Sequence, residues 1–229
     1  MKKKASFSLA FFVARFMHEV MTFLITAGPT REPLDPVRYI SNHSSGKMGY
    51  AIAGAASQRG HRVILVSGPT QIDIPDGVDY IPVETAQEMY EMVIKWLDVA
   101  DVVVCTAAVA DYRVADYSAQ KIKKSDDELT LRLVKNPDIL GSLRQKHGYR
   151  GVLAGFAAET ENVVENAKTK LRKKCCDFIF ANDVSDRSIG FNSDENELLS
   201  VSINGVESLG RHSKALLGDK VVSLCLSKL

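Results

Sequence analysis

The sequence predicts an α/β fold: a Rossmann-like, doubly wound, mostly parallel sheet with helices on both faces, followed by a C-terminal β-hairpin and helix. Three observations carry this. Short, continuously apolar runs of the kind found in strands buried on both faces alternate with helical segments over most of the chain. The connections are short, and a strand–helix–strand succession with short links winds a parallel sheet. The 229 residues, 45% hydrophobic and 25% charged, suit one globular core.

Taken in order, Thr22 to Ala27 reads as a short buried strand. A long polar loop through Pro29, Pro33 and Pro36 then leads to a helix starting near Ser45. Its small residues Gly49, Ala51, Ala53, Gly54, Ala55 and Ala56 let it lie close to a sheet, and Gly60 ends it. Arg62 to Ser67 is a second strand, Thr85 to Leu97 a helix, and Asp101 to Thr106 a third strand, giving βαβαβ. Leu129, Leu131 and Leu133 alternate with Thr130, Arg132 and Val134 as in a half-exposed strand, and Pro137 stands at the start of another helix. Val152 to Ala157, a helix through Lys174, and Phe178 to Ala181 continue the rhythm. Leu198 to Ile203, an Asn204-Gly205 turn and Val206 to Leu209 form a hairpin, and an amphipathic helix closes the chain. In such a sheet ligands bind beyond the carboxyl ends of the strands, so the loops after strands are where chemistry is expected.

Composition excludes several function classes. A formal charge of +1 gives no global field for nucleic acid or for a membrane surface, so an anionic ligand must be met locally. The four cysteines (Cys105, Cys175, Cys176, Cys225) have neither CxxC spacing nor a nearby histidine pattern, which argues against a zinc site and a disulfide framework and for a reducing cytoplasm. Adjacent Cys175 and Cys176 read as small packing residues. Residues 1–20 combine Lys2-Lys3-Lys4 with an apolar stretch, Phe7 to Val13, too short to span a bilayer. They are expected to be an N-terminal extension, disordered, docked as a helix or preceding the true start at Met21, with one domain over 21–229.

After the first strand, Gly28 opens a loop that ends in Ser44, Ser45 and Gly46 before the Ala-rich helix. Small residues let backbone N–H groups approach phosphate, and a helix N-terminus favours an anion. The same serines would also serve as a plain N-cap, and both readings stand at this point. Neither standard fingerprint fits: GxGxxG is absent, and Gly46-Lys47 lacks the Walker glycine and the following Ser or Thr. After the third strand, Asp111 can hold Mg²⁺ or hydrogen-bond a base or ribose, and Lys121-Ile122-Lys123-Lys124 can neutralise a triphosphate or be a solvated turn. Lys170 and Lys174, four apart on one helical face, read as surface or as phosphate ligands.

Taken together, Ile25 to Gly49, Ala107 to Arg113, Lys121 to Lys124, Asn136-Pro137-Asp138-Ile139, Gly155 to Thr160 and Ala181 to Ser185 closely resemble the phosphopantothenoylcysteine synthetase family, in order from about Met21 to Leu229. The resemblance implies a ligase of coenzyme A biosynthesis. In it the carboxylate of 4′-phosphopantothenate attacks the α-phosphate of CTP to give an acyl-cytidylate and pyrophosphate, and the amine of cysteine then displaces CMP. Mg²⁺ and cationic groups would offset charge in the first step. By position, Asn42 matches the asparagine that hydrogen-bonds the acyl-cytidylate, and Lys121 the mobile-loop lysine that serves nucleotide and chemistry. Asp111, Asn136, Pro137, Asp138, Ile139, Phe156, Lys170 and Lys174 match positions that hold CTP, with Phe156 against the base or ribose. CTP rather than ATP rests on the bacterial-type motif around Asn42 and Lys121. The family is dimeric, so a homodimer is expected. The flavin-dependent decarboxylase fused to it in many bacteria is expected to be a separate partner here, without FMN on this chain.

Tyr112 to Asp127, charged and poor in large apolar residues other than its tyrosines, would suit a flap that excludes water from the acyl-nucleotide. Tyr117 and Lys121 form a YxxxK spacing, the mark of a rival class, the short-chain nicotinamide oxidoreductases. Those enzymes carry the pair on a long helix and open with a Gly-rich dinucleotide loop, which this chain lacks. A non-catalytic nucleotide-binding module is the second alternative, against which the joint presence of Asn42, Asp111 and Lys121 argues.

Overall fold

A computed structural model describes residues 19–123, 128–185 and 193–229. The expected extension therefore falls almost wholly outside the described residues, as do Lys124 and the end of the expected flap at 124–127.

Eight strands form the main sheet in the order β12-β11-β10-β9-β6-β1-β4-β5. These are β1 (Thr22–Ala27), β4 (Arg62–Ser67), β5 (Val78–Pro82), β6 (Val102–Cys105), β9 (Val152–Glu159), β10 (Phe178–Asp183), β11 (Glu195–Ser202) and β12 (Gly205–Ser213). The six from β10 to β5 are parallel, and β11 and β12 extend them as an antiparallel hairpin. The chain leaves β1 to build β4 and β5 on one side and β6 on the other, so the strand order reverses between β1 and β6 and the loops after them meet at the carboxyl edge of the sheet, where ligands of such folds bind.

Period-2 alternation along the central strands feeds two cores. Phe23, Ile25, Val104, Ala154 and Phe180 face helices α1 (Lys47–Gln58) and α5 (Lys214–Leu226). Leu24, Ile64, Val103, Leu153 and Ile179 face α2 (Ala86–Trp96), α3 (Ile139–Gln145) and α4 (Val163–Lys174). The expected Thr85–Leu97 helix appears as α2 with its ends as caps. Thr85 Oγ1 accepts from Glu88 N at 3.2 Å while Glu88 accepts from Thr85 N, a capping box. No helix of the described residues is long and apolar enough to cross a membrane.

The small residues of α1 have a specific use. A Cβ at Gly49 would collide with Thr106 Oγ1 and come within 2.5 Å of Ala27 Cβ, so the first turn of α1 seats directly on the ends of β1 and β6. Gly49→Ala is expected to destabilise by about 1–3 kcal/mol through overpacking. At about 2–4 °C per kcal/mol for a chain of this size, a melting curve should show a drop of several degrees.

Several expected elements are corrected. The polar loop after β1 contains a short antiparallel pair, β2 (Arg31–Pro33) and β3 (Tyr39–Ser41), which three-residue strands beside prolines do not reveal by periodicity. The edge strand β5 was not foreseen either. Leu129 to Val134 does not form one strand: only β8 (Leu133–Lys135) does, pairing with β7 (Tyr112–Val114). Pro137 precedes its helix, because Asp138 is the N-cap, its Oδ1 accepting from Gly141 N at 3.0 Å. The N-cap of α1 is Gly46, left-handed at φ 80 and without a side-chain cap, so neither serine takes that position. Cys175 is exposed rather than packed, since the left-handed turn that ends α4 (φ 53) places it at the C-cap; Cys176 packs against the second core.

Candidate functional site

Two buried threonines lock the loops after β1 and β6 together. Thr106 Oγ1 donates to Thr26 O at 2.6 Å, and Ala107 N to Thr26 Oγ1 at 3.3 Å. Ala108 N donates to Gly28 O at 2.9 Å and Ala110 N to Thr30 Oγ1 at 3.0 Å. Residues 107–111 thereby stand as a wall at the carboxyl edge of the sheet, with a cleft on each side. One cleft has a volume of about 470 Å³ and the other about 300 Å³, and Asp111, Phe156 and Lys170 line both.

The larger cleft gathers nearly all the residues expected to hold a nucleotide: Asp111, Asn136, Pro137, Asp138, Ile139, Phe156, Lys170 and Lys174. The loop after β6 supplies Asp111, the β8–α3 junction supplies Asn136 to Ile139, β9 supplies Phe156, and one face of α4 supplies the lysines. Asn136 is engaged as a brace, Nδ2 donating to Ala110 O at 2.8 Å and Oδ1 accepting from Arg113 Nη1 at 3.1 Å. Asp138 pairs with Lys174 as well as capping α3. Burial pushes its carboxyl up, but Lys174, Gly141 N and Lys173 outweigh this and hold it below the usual value. Lys170 Nζ donates to Phe156 O at 2.7 Å. Burial lowers its pKa against the pull of Glu159, with Lys174 adding to the lowering.

Ser44, Ser45 and Gly46 line the smaller cleft at the N-terminus of α1. Lys47, which pairs with Asp194 at 2.6 Å, and buried Lys214 join them. Gly28 lines neither cleft; its left-handed backbone (φ 71) packs so closely that a Cβ would lie 2.8 Å from Gly68 O. Asn42 stands just beyond β3 at the wall, Nδ2 donating to Ala108 O at 3.2 Å. Lys121 is exposed and lines neither cleft, and with Tyr117 it lies in irregular chain rather than on the helix that the oxidoreductase reading requires.

Similarity to known proteins gives the family. The family model described as DNA/pantothenate metabolism flavoprotein C-terminal domain matches residues 19–228. The chain belongs to this family. The coenzyme A biosynthesis bifunctional protein CoaBC of Vibrio vulnificus is 49% identical over 203 residues, 88% of this chain and 51% of that protein. Its counterpart from Escherichia coli is 50% identical over 202 residues, 87% of this chain and 50% of that protein. The chain thus spans about half the length of these curated relatives. The crystal structure of the C-terminal domain of a CoaBC protein superposes with a TM-score of 0.75 at 41% identity, covering 89% of this chain and 93% of that one.

Within this family member, Asp111 is the expected metal ligand. Among the described residues no group of three or more His, Cys, Asp or Glu could hold a metal ion. Asp111 is, among the described residues, the one carboxylate that lines both clefts, and as a single hard oxygen ligand it would hold Mg²⁺ only together with the oxygens of a bound phosphate. Cys105 lines the larger cleft, but burial raises its pKa to about 12, so it is a neutral thiol there and not a nucleophile.

Sequence reasoning assigned no role to Asn182, Asn196 and Lys214 of the smaller cleft. Asn196 and Asn182 are almost fully buried and joined through Asn196 Oδ1 and Asn182 Nδ2 at 3.4 Å. A signal for Lys214 exists: it follows the N-cap Ser213, and a cation in the first turn opposes the helix dipole. Burial, and then repulsion from Lys47, lower its pKa from the usual 10.5 to about 8, with Asp194 opposing. Between those two values the unfolded chain holds a proton that the fold has released, so stability rises with pH through that window. Denaturant titrations are expected to show wild type gaining on Lys214→Met from about pH 8 to 10.5, and parallel profiles would contradict it.

Proposed function

We propose that the chain is a phosphopantothenate–cysteine ligase, which joins 4′-phosphopantothenate to L-cysteine through an acyl-cytidylate in coenzyme A biosynthesis. The observation that carries this is the pair of cationic clefts meeting at Asp111, Phe156 and Lys170. A reaction that couples two phosphorylated substrates needs two adjacent anion sites with a shared wall at which their reacting ends meet. Membership of a family whose relatives are named for coenzyme A biosynthesis supports the same reading.

In this reading CTP occupies the larger cleft. The lysines of α4 face its phosphates, Phe156 packs against its base or ribose, and Asn136 to Ile139 form the opposite bank. The phosphate of 4′-phosphopantothenate takes the smaller cleft, at the N-terminus of α1 among Ser44, Ser45, Gly46 and Lys214. Its carboxylate oxygen then attacks the α-phosphorus as the bond to pyrophosphate breaks, with Lys170 and Lys121 offsetting the accumulating negative charge. Asp111 is the residue that would hold Mg²⁺ here, and the ion would supply further charge neutralisation. Asn42 orients the acyl-cytidylate over the wall. The neutral amine of cysteine adds to the acyl carbon, the acyl–oxygen bond to CMP breaks, and the nitrogen releases a proton to solvent as the amide forms. The enzyme is proposed to act in the cytoplasm as a homodimer, its product going on to a flavin-dependent decarboxylase.

Pyrophosphate release should require both CTP and 4′-phosphopantothenate, and adding cysteine should yield CMP and a new amide in equal amounts. Equal rates with ATP would refute the nucleotide assignment. Silence with both nucleotides would refute the ligase.

A further inference from the structure

We propose that Asp35 is a positioning residue for Lys121, latching the Lys121 loop to the same hairpin that carries Asn42; this rests on the ligase reading above. The Asp35 side chain is fully buried, and its two carboxylate oxygens do different work. Oδ1 serves the local turn, accepting from Val37 N at 2.8 Å and Arg38 N at 2.9 Å. Oδ2 reaches 87 residues along the chain to accept from Ile122 N at 3.1 Å, and it also accepts from Arg38 Nε at 3.0 Å and Nη2 at 2.5 Å.

The arginine closes the latch, because Arg38 Nη2 donates to Ile122 O at 2.8 Å. Both backbone groups of the residue after Lys121 are therefore held by one ion pair, whose carboxylate is buried and whose guanidinium is half-exposed. A second tie lies nearby, from Ser118 N to Leu34 O at 3.0 Å. The turn needs only Oδ1; the contacts of Oδ2 with Ile122 have no use in it.

The other end of the hairpin is equally fixed. Glu32, 1% exposed, accepts from Ala86 N at the start of α2 at 2.9 Å, and Arg31 N donates to Glu84 O at 2.7 Å. Ser41 Oγ donates to Thr30 O at 2.8 Å, and Asn42 follows directly, bonded to the wall. The β2–β3 hairpin is thus a bracket between α2 and the wall, with Asn42 at its exit and the Lys121 loop clamped to its turn. The Arg38 guanidinium holds the Asp35 carboxyl far below the usual carboxylate range, so the latch stays ionised throughout the neutral range.

Asp35→Asn tests the latch. An asparagine keeps an acceptor for Val37 and Arg38 N–H but places an NH₂ where Ile122 N–H and the guanidinium need an oxygen. Pyrophosphate release should fall about 10²-fold with CTP binding within about threefold of wild type, and the double variant with Lys121→Ala should be no slower than Lys121→Ala alone. Losses that multiply in the double variant, or an Asp35→Asn rate within threefold of wild type, would overturn the proposal. If wild type releases no pyrophosphate at all, the ligase reading fails separately. The latch is then judged by hydrogen exchange at the Ile122 amide, where tenfold faster exchange in Asp35→Asn supports it and unchanged exchange refutes it. Should Asp35→Asn not fold, Arg38→Lys leaves Asp35 an ion partner but cannot bridge Asp35 and Ile122 O with a fork, and is read by the same rate and double-variant criteria.

Discussion

Lys170→Met is expected to lower kcat/KM about 10²- to 10³-fold while leaving the melting temperature unchanged or higher. Among the described residues Lys170 is the one cation that lines both clefts, so on the proposed reading it lies where the two anionic substrates meet. Removing a single donor to developing charge in a preorganised site typically costs about 3–4 kcal/mol in the transition state. The fold, by contrast, carries this lysine at a cost, because burial disfavours its charged form and lowers its pKa. Methionine keeps the aliphatic stem and removes that penalty, at the expense of the bond to Phe156 O. Steady-state kinetics and a thermal melt on one preparation decide the matter. Parallel loss of activity and stability would make Lys170 a packing residue.

The second large effect is expected at the two residues tied to the β2–β3 hairpin. Asn42→Ala and Lys121→Ala should each lower kcat about 10²- to 10³-fold, with CTP affinity changed much less. Neither residue lines the larger cleft, so neither contributes much of the ground-state grip on nucleotide. Asn42 acts from a fixed position, tied to Ala108 O, and Lys121 from a loop fastened at its neighbour Ile122. Calorimetric titration with CTP beside turnover measurements separates the two contributions. A large loss of CTP affinity in Lys121→Ala would instead make that lysine a nucleotide ligand.

The parallel core was legible because its strands are continuous apolar runs: Phe23 to Ile25, Val63 to Val66 and Val102 to Val104 are fully buried between helical layers. What escaped lies at the margins. Val78–Pro82 is a half-exposed edge strand with no apolar run, and β2 and β3 are too short and proline-rich for a period to show. The larger cleft could be anticipated because Asn136 to Ile139 are contiguous and Lys170 and Lys174 share a helical face. The smaller cleft was only half visible. Ser44 to Gly46 announce a helix N-terminus, whereas Asn196 and Lys214 come from the C-terminal hairpin and helix, which only the folded sheet brings to that spot. No local pattern marks Asn42, and for Lys121 the lysine cluster it opens reads equally well as a solvated turn. Resemblance singled them out, and the hairpin that relates them became visible through Asp35 and Glu32, two carboxylates buried in a segment that read as a polar loop.

The central claim is that the two clefts bring an acid and a nucleotide together so that an acyl-cytidylate forms before cysteine is used. Rapid-quench analysis of a stoichiometric mixture of enzyme, Mg²⁺, CTP and 4′-phosphopantothenate, without cysteine, tests this most directly. About one equivalent of pyrophosphate should appear together with an enzyme-bound cytidylate of the acid, which a cysteine chase converts to amide and CMP. Pyrophosphate that appears only when cysteine is present, with no acyl-cytidylate in the quench, would contradict it.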